Sequence, residues 1–115
     1  VLLVEDNIDL RCSVRDMLTE LGHSVVEASS VVEARALWDG LPDITLILSD
    51  LVLQGEATGL DLGSHAQNTQ TPLQFMTSLP PSHDLYQRAT QTAPVITKPF
   101  SAETLSKFLT AKGVS

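Results

Sequence analysis

An α/β domain, built on a parallel sheet with helices on both faces, is the fold class the sequence predicts, and three features predict it. Two apolar runs of strand length, residues 1–4 and 44–48, carry Thr45 as their one polar residue, the composition of strands buried on both faces. Between and after these runs, apolar residues recur at helical spacing. Strand-like and helix-like stretches alternate five times, and each helix that returns the chain to a parallel neighbour must cover one face of the sheet. A length of 115 residues suits one hydrophobic core, so residues 1–115 are expected to form a single domain.

The first strand ends in acid, at Glu5 and Asp6, and the chain opens inside it, as expected of a domain cut from something longer. Leu10, Val14, Met17, Leu18 and Leu21 then fall at i, i+4, i+7, i+8 and i+11, the stripe of an amphipathic helix that Gly22 is placed to end. Residues 23–28 favour a short strand. Ser30 and Glu33 have the S-x-x-E spacing of a capping box; Ala34, Leu37, Trp38 and Leu41 continue the helix it opens, with Trp38 as a packing residue. Gly40 and Pro42 close that helix, and the run from Ile44 carries the chain to Asp50. A loop with Gly55 and Gly59 leads to a weaker helix over residues 60–68, because Gly59 and Gly63 each cost about 1 kcal/mol relative to Ala inside a helix. Thr71-Pro72 breaks it, and residues 73–76 form a fourth strand that ends at Thr77-Ser78. After Pro80-Pro81 come a short helix over residues 84–90 and a fifth strand over residues 94–97, ending at Lys98-Pro99. Ser101 caps a last helix whose Leu105, Phe108 and Leu109 face inward.

Composition narrows the function. A net charge of −7, from seven Lys and Arg against fourteen Asp and Glu, is the opposite of the basic surface that a phosphate backbone requires, so no nucleic-acid partner is expected. The apolar runs fall far short of the ~20 residues of a spanning helix, and no charged-then-apolar leader is present, so no membrane contact is expected. Cys12 is the only cysteine, which rules out an intrachain disulfide and a Cys-based zinc site and suits a reducing cytoplasm, the expected location. His23, His65 and His83 lack the short spacings that place two imidazoles on one metal, and read as surface or turn residues.

In a parallel sheet every strand's carboxyl end lies on one edge, where ligands collect in open α/β folds. That edge would receive Glu5 and Asp6 from the first strand, Asp50 from the third, Thr77 from the fourth and Lys98 from the fifth. Clustered carboxylates raise one another's pKa unless a cation offsets them. Hard oxygen donors that leave room for water suit Mg²⁺. A carboxylate beside that ion can attack phosphorus and form an aspartyl phosphate. Lys98 and the metal would neutralise the transferring phosphoryl group, and the Thr77 hydroxyl can donate to one of its oxygens. Taken singly, each residue has an ordinary role as well: Asp50 as a helix cap, Glu5-Asp6-Asn7 as acids at a helix dipole, Lys98 as a solvated lysine and Thr77 as a β-branched strand residue.

With Glu5-Asp6-Asn7 after the first strand, Asp50 after Leu48-Ser49, Met76-Thr77-Ser78 and Thr97-Lys98-Pro99-Phe100 in this order, the whole chain resembles the receiver domain of two-component response regulators. The resemblance implies a flavodoxin-like (βα)5 fold, a doubly wound parallel five-stranded sheet of strand order 2-1-3-4-5. It implies Mg²⁺ on Asp6, Asp50 and the backbone carbonyl of Val52, with Glu5 supporting the metal site. Asp50 would be the phospho-acceptor, served by the phosphohistidine of a histidine kinase or a histidine phosphotransfer protein. Thr77 and Lys98 would bind the phosphoryl group and act as the switch, and the bond before Pro99 would be cis. The domain would be a signalling module and not an enzyme, able to pair with a second copy through the face of its fourth helix, fifth strand and fifth helix.

The chain departs from the family's pattern at several positions. Gln54 stands where many relatives carry Pro, and the loop reaches Gly59 one residue late, a form similar to receiver modules of hybrid histidine kinases. Val95 replaces the aromatic switch residue three positions before Lys98, which raises a second reading, a degenerate receiver used as a phosphorylation-independent interaction module. Val52 and Leu79, two residues beyond Asp50 and Thr77, are apolar where the family orients water, so slow hydrolysis of the phosphate is expected. Val52 also stands where a hydrolase of the aspartyl-phosphate type would hold its second carboxylate.

Overall fold

A computed structural model describes residues 1–41, 43–53 and 58–111; Pro42, Gln54 and Gly55 lie outside the described residues. The elements run β1 (Leu2–Val4), α1 (Ile8–Glu20), β2 (Val26–Ala28), α2 (Val31–Gly40) and β3 (Ile47–Asp50). A 3-10 turn (Gly59–Leu62) then passes directly into α3 (Gly63–Thr69), followed by β4 (Leu73–Thr77), α4 (Asp84–Thr90), β5 (Val95–Thr97) and α5 (Ala102–Ala111). All the strands join one parallel sheet in the order β2-β1-β3-β4-β5. This is the doubly wound, flavodoxin-like arrangement expected from the sequence.

Alternation along the strands divides the core in two. Leu2, Val4, Ile47, Leu73 and Phe75 face one side, where Ala34 and Trp38 of α2, Ala66 of α3 and Ala89 of α4 cover them. Leu3, Leu48, Met76 and Ile96 face the other, beneath Val14 and Leu18 of α1 and Leu105 and Leu109 of α5. β1 and the start of β3 are therefore apolar on both faces, which is why their sequences show no alternation.

Local signals behave largely as anticipated. Asn7 caps α1 by accepting from the Leu10 amide at 3.0 Å, and Gly22 leaves the helix with φ +93°, a left-handed conformation that favours glycine. Ser30 accepts from the Glu33 amide at 3.1 Å, but Glu33 reaches back to the Ser29 amide at 3.3 Å and not to Ser30, so the expected capping box is only half formed. A complete box occurs instead at Thr58, which accepts from the first turn while Asp61 accepts from the Thr58 amide at 2.7 Å. Ser101 accepts from the Thr104 amide at 3.2 Å, the cap expected at the last helix.

Several boundaries move. β3 begins at Ile47, three residues after the apolar run starts, because its neighbours begin there: Ile47 lies opposite Leu2 of β1 and Leu73 of β4. Residues 23–25 stay outside β2 because β1 offers only Leu2–Val4 as partners. Gly63 opens α3 and does not interrupt it, so the penalty expected of a mid-helix glycine is largely avoided. His65 is not a plain surface residue. Its ring packs edge-on against Trp38, with centroids 4.4 Å apart, and its Nε2 lies 2.8 Å from Asp39 Oδ1, tying α3 to α2.

Candidate functional site

Three ionisable or hydroxyl side chains of the core gather at the carboxyl edge of the sheet. Glu5, Asp50 and Thr77 are each less than a tenth exposed, and all three stand at or just beyond strand ends. β3 and β4 are registered so that Asp50 lies opposite Met76, and the Leu51 amide donates to the Met76 carbonyl at 3.1 Å, which carries the backbone pairing past the acid. Asp50 is thus held by a strand buried on both faces.

One ligand atom from each of Glu5, Asp6 and Asp50 falls in a group whose members lie within 4.8 Å of one another. Lys98 Nζ donates to Asp50 Oδ2 at 3.1 Å and stands 3.6 Å from Glu5 Oε2. The other Asp50 oxygen accepts from the Val52 amide at 3.3 Å. Thr77 Oγ1 accepts from the Leu79 amide at 3.1 Å, an arrangement that leaves its own proton free to be donated. The Lys98 amide donates to the Thr77 carbonyl at 2.8 Å, so the lysine and the hydroxyl enter the site from paired backbone. The bond between Lys98 and Pro99 is cis. Val52 has an exposed side chain, and Val95 is half-buried against the core beneath α2, α3 and α4.

The electrostatics are unbalanced. Three acids face one ammonium, and Glu5 Oε2 is buried with no hydrogen-bond donor among the described residues. Burial first, and then the hydrogen bond and negative charge of Asp50, push the Glu5 carboxyl from 4.5 up to about 8, while Lys98 and the Asn7 amide pull it down. A hard divalent cation is the group such a donor set lacks. Glu5, Asp6 and Asp50 together could hold one, and its charge would offset their excess.

Two residues escape a reading based on spacing alone. Arg11 of α1 donates through Nη1 to the Glu5 carbonyl at 3.1 Å; its only sequence signal is a cation within one turn of the helix start. Gly59 packs so closely on the Asp50 carbonyl that a Cβ there would overlap the oxygen, and its amide donates to Leu51 at 3.0 Å. Cavity size does not mark this centre. A cavity of about 550 Å³ lies at the opposite edge of the sheet between Trp38, Ile44, Gln70 and Pro72. Beside Lys98 and Pro99 there is a smaller one of about 290 Å³.

Comparison with solved structures returns this fold repeatedly. A response regulator receiver domain protein from Clostridium thermocellum superimposes with a TM-score of 0.84 at 19% identity, over 96% of this chain and 90% of that one. The chemotaxis protein CheY4 of Vibrio cholerae gives a TM-score of 0.80 at 28% identity, covering 96% and 94% of the two chains. The receiver domain of NtrX from Brucella abortus gives 0.84 at 25% identity, over 96% and 95%. Comparison with curated protein sequences finds no significant match. The response regulator receiver domain family matches residues 1–110, and with the fold in agreement, this chain belongs to the receiver domain family of two-component signalling.

Proposed function

We propose that this domain accepts a phosphoryl group on Asp50 from the phosphohistidine of a histidine kinase or histidine phosphotransfer protein, and that Mg²⁺ bound by Asp6, Asp50 and the Val52 carbonyl, with Glu5 in support, is required. The observation that carries this reading is the contact of Lys98 with Asp50 at the centre of an acid group that one ammonium cannot neutralise. In the transfer, an Asp50 oxygen forms a bond to phosphorus as the bond from phosphorus to the partner's imidazole nitrogen breaks. When bound, Mg²⁺ supplies positive charge to the phosphoryl oxygens.

The chain's own groups do the rest. Strand burial and the Val52 amide fix the direction of the Asp50 carboxylate. Lys98, already 3.1 Å from Asp50, meets the negative charge that arrives with the group. Thr77 donates its hydroxyl proton to a phosphoryl oxygen, which shifts the end of β4, whose Thr77 carbonyl accepts from the Lys98 amide. Residues 1–115 act as one such module, pairing with a second copy through α4, β5 and α5.

Val95 favours a second reading. A half-buried valine takes the place of the family's aromatic switch and has no ring to swing inward, so the site could serve a domain that binds its partner in either state. Incubation with acetyl phosphate and Mg²⁺ followed by peptide mass spectrometry separates the two. The phospho-accepting reading requires a phosphoryl mass on the Asp50 peptide that vanishes with EDTA and in Asp50→Asn. An unmodified wild-type peptide would leave only the interaction module.

A further inference from the structure

We propose that Arg11 is the positioning residue of the acidic centre, holding the backbone from which Asp6 turns towards Glu5 and Asp50. This rests on the reading of that centre as a Mg²⁺ site. Arg11 lies in the first turn of α1, and its side chain is 19% exposed, so its guanidinium is mostly withdrawn from water. Nη1 donates to the Glu5 carbonyl at 3.1 Å, and Nε donates to Glu27 Oε1 at 3.3 Å. Glu27 belongs to β2, is registered with Leu3 of β1, and presents its other oxygen to Arg15 Nη1 at 3.6 Å. The planar fork of Arg11 is therefore aimed from two sides, by a carboxylate on a neighbouring strand and by the carbonyl it holds.

The consequence falls on Asp6. The peptide before it has its carbonyl fixed by Arg11, and the peptide after it has its N–H donated to Glu5 Oε1 at 3.3 Å. Because peptide units are rigid planes, fixing both of them fixes the two backbone angles of Asp6 and hence the direction of its Cβ. Among the described residues no side chain donates a hydrogen bond to the Asp6 carboxylate, so its backbone is what aims it. Arg11 does not belong to the ligand set and acts through the carbonyl of Glu5.

Two physical effects of Arg11 oppose each other. As a nearby cation it repels a divalent ion, so on charge alone its removal would tighten Mg²⁺ binding. As the anchor of the Glu5–Asp6 peptide it preorganises a ligand, so its removal would weaken binding, and groups that orient metal ligands are commonly worth about 10–100-fold in affinity. The test is an NMR titration of the 115-residue chain with Mg²⁺, wild type against Arg11→Ala and Arg11→Lys, with melting followed in EDTA. Arg11→Ala is expected to raise the Mg²⁺ dissociation constant by about tenfold. Arg11→Lys keeps the charge but cannot span both oxygens with a fork, and is expected to recover part of that loss.

Wild-type binding with Arg11→Ala unchanged or tighter overturns the positioning role and leaves the metal site standing. A wild-type chain that takes up no Mg²⁺ overturns both. If Arg11→Ala does not fold, Arg11→Lys decides alone: weaker binding than wild type supports the fork, and affinity equal to wild type overturns the positioning role.

Discussion

Gly59 shows how a residue that looks like a local weakness serves the site. In sequence it reads as a helix-breaking glycine, costly by about 1 kcal/mol. In the fold it precedes α3, and the absence of a side chain lets the loop lie directly on the Asp50 carbonyl. An added methyl would overlap that oxygen, which is backbone and has no flexible end to move aside. Gly59→Ala should therefore displace the turn or Asp50 itself, costing about 1–3 kcal/mol and slowing acceptance of the phosphoryl group. Gly40 provides the contrast, because nothing lies within 4 Å of a Cβ built there. Gly40→Ala, in the last turn of α2, should be neutral or stabilising by up to about 1 kcal/mol through the unfolded chain. Urea denaturation of both variants, with phosphorylation rates beside it, checks the pair; equal midpoints would contradict the close approach at Gly59.

Strands and helices were legible from the sequence where burial dictates their composition. The two-sided burial of β1 and β3 produces continuous apolar runs, and the acid that ends each run marks the sheet edge, which is why Glu5, Asp6, Asp50, Thr77 and Lys98 could be grouped before any geometry was known. Boundaries were less legible because partners set them: Ile44 and Thr45 have the composition of a strand but lie below the level at which β1 and β4 begin. Caps made with unexpected groups were also hidden. His83 accepts from the Leu85 amide at 3.1 Å through its ring, and Thr58 with Asp61 forms the full box expected at Ser30. Arg11 was hidden for a related reason, since what it holds is a main-chain oxygen, and backbone geometry leaves no trace in a list of side chains. The Thr58 box sits where the chain returns from the Asp50 loop to α3, a helix of only 7 residues. Such a short helix depends on its ends, so Thr58→Ala should cost about 1 kcal/mol, measurable by thermal unfolding, with faster amide exchange in residues 59–69. A loss below a few tenths would show that the box is unimportant.

The sheet as a whole brings like charges together at one edge, and the energy of doing so should be visible in the stability of the entire domain. Without metal, burial and the Asp50 carboxylate raise Glu5 to about 8 against 4.5 for the free side chain. The folded state then holds a proton that the unfolded chain has released, so between those values stability must fall as pH rises. The contribution of uncharged Glu5 is complete below 4.5 and is lost as pH passes about 8. In EDTA the midpoint of thermal unfolding should therefore decline from mildly acidic to mildly alkaline pH, and Glu5→Gln, which cannot ionise, should flatten that decline. A cation binding only the folded state stabilises it by RT ln(1 + [L]/Kd), about 2.7 kcal/mol at a hundredfold excess over Kd. Mg²⁺ should raise the midpoint most at the alkaline end, where Glu5 would otherwise carry an uncompensated charge, and should therefore oppose the slope as well as lift the curve. Chelation must reverse both effects. A midpoint that is insensitive to Mg²⁺ at pH 8, in protein that unfolds reversibly, would show that the excess negative charge at this edge is tolerated without a metal.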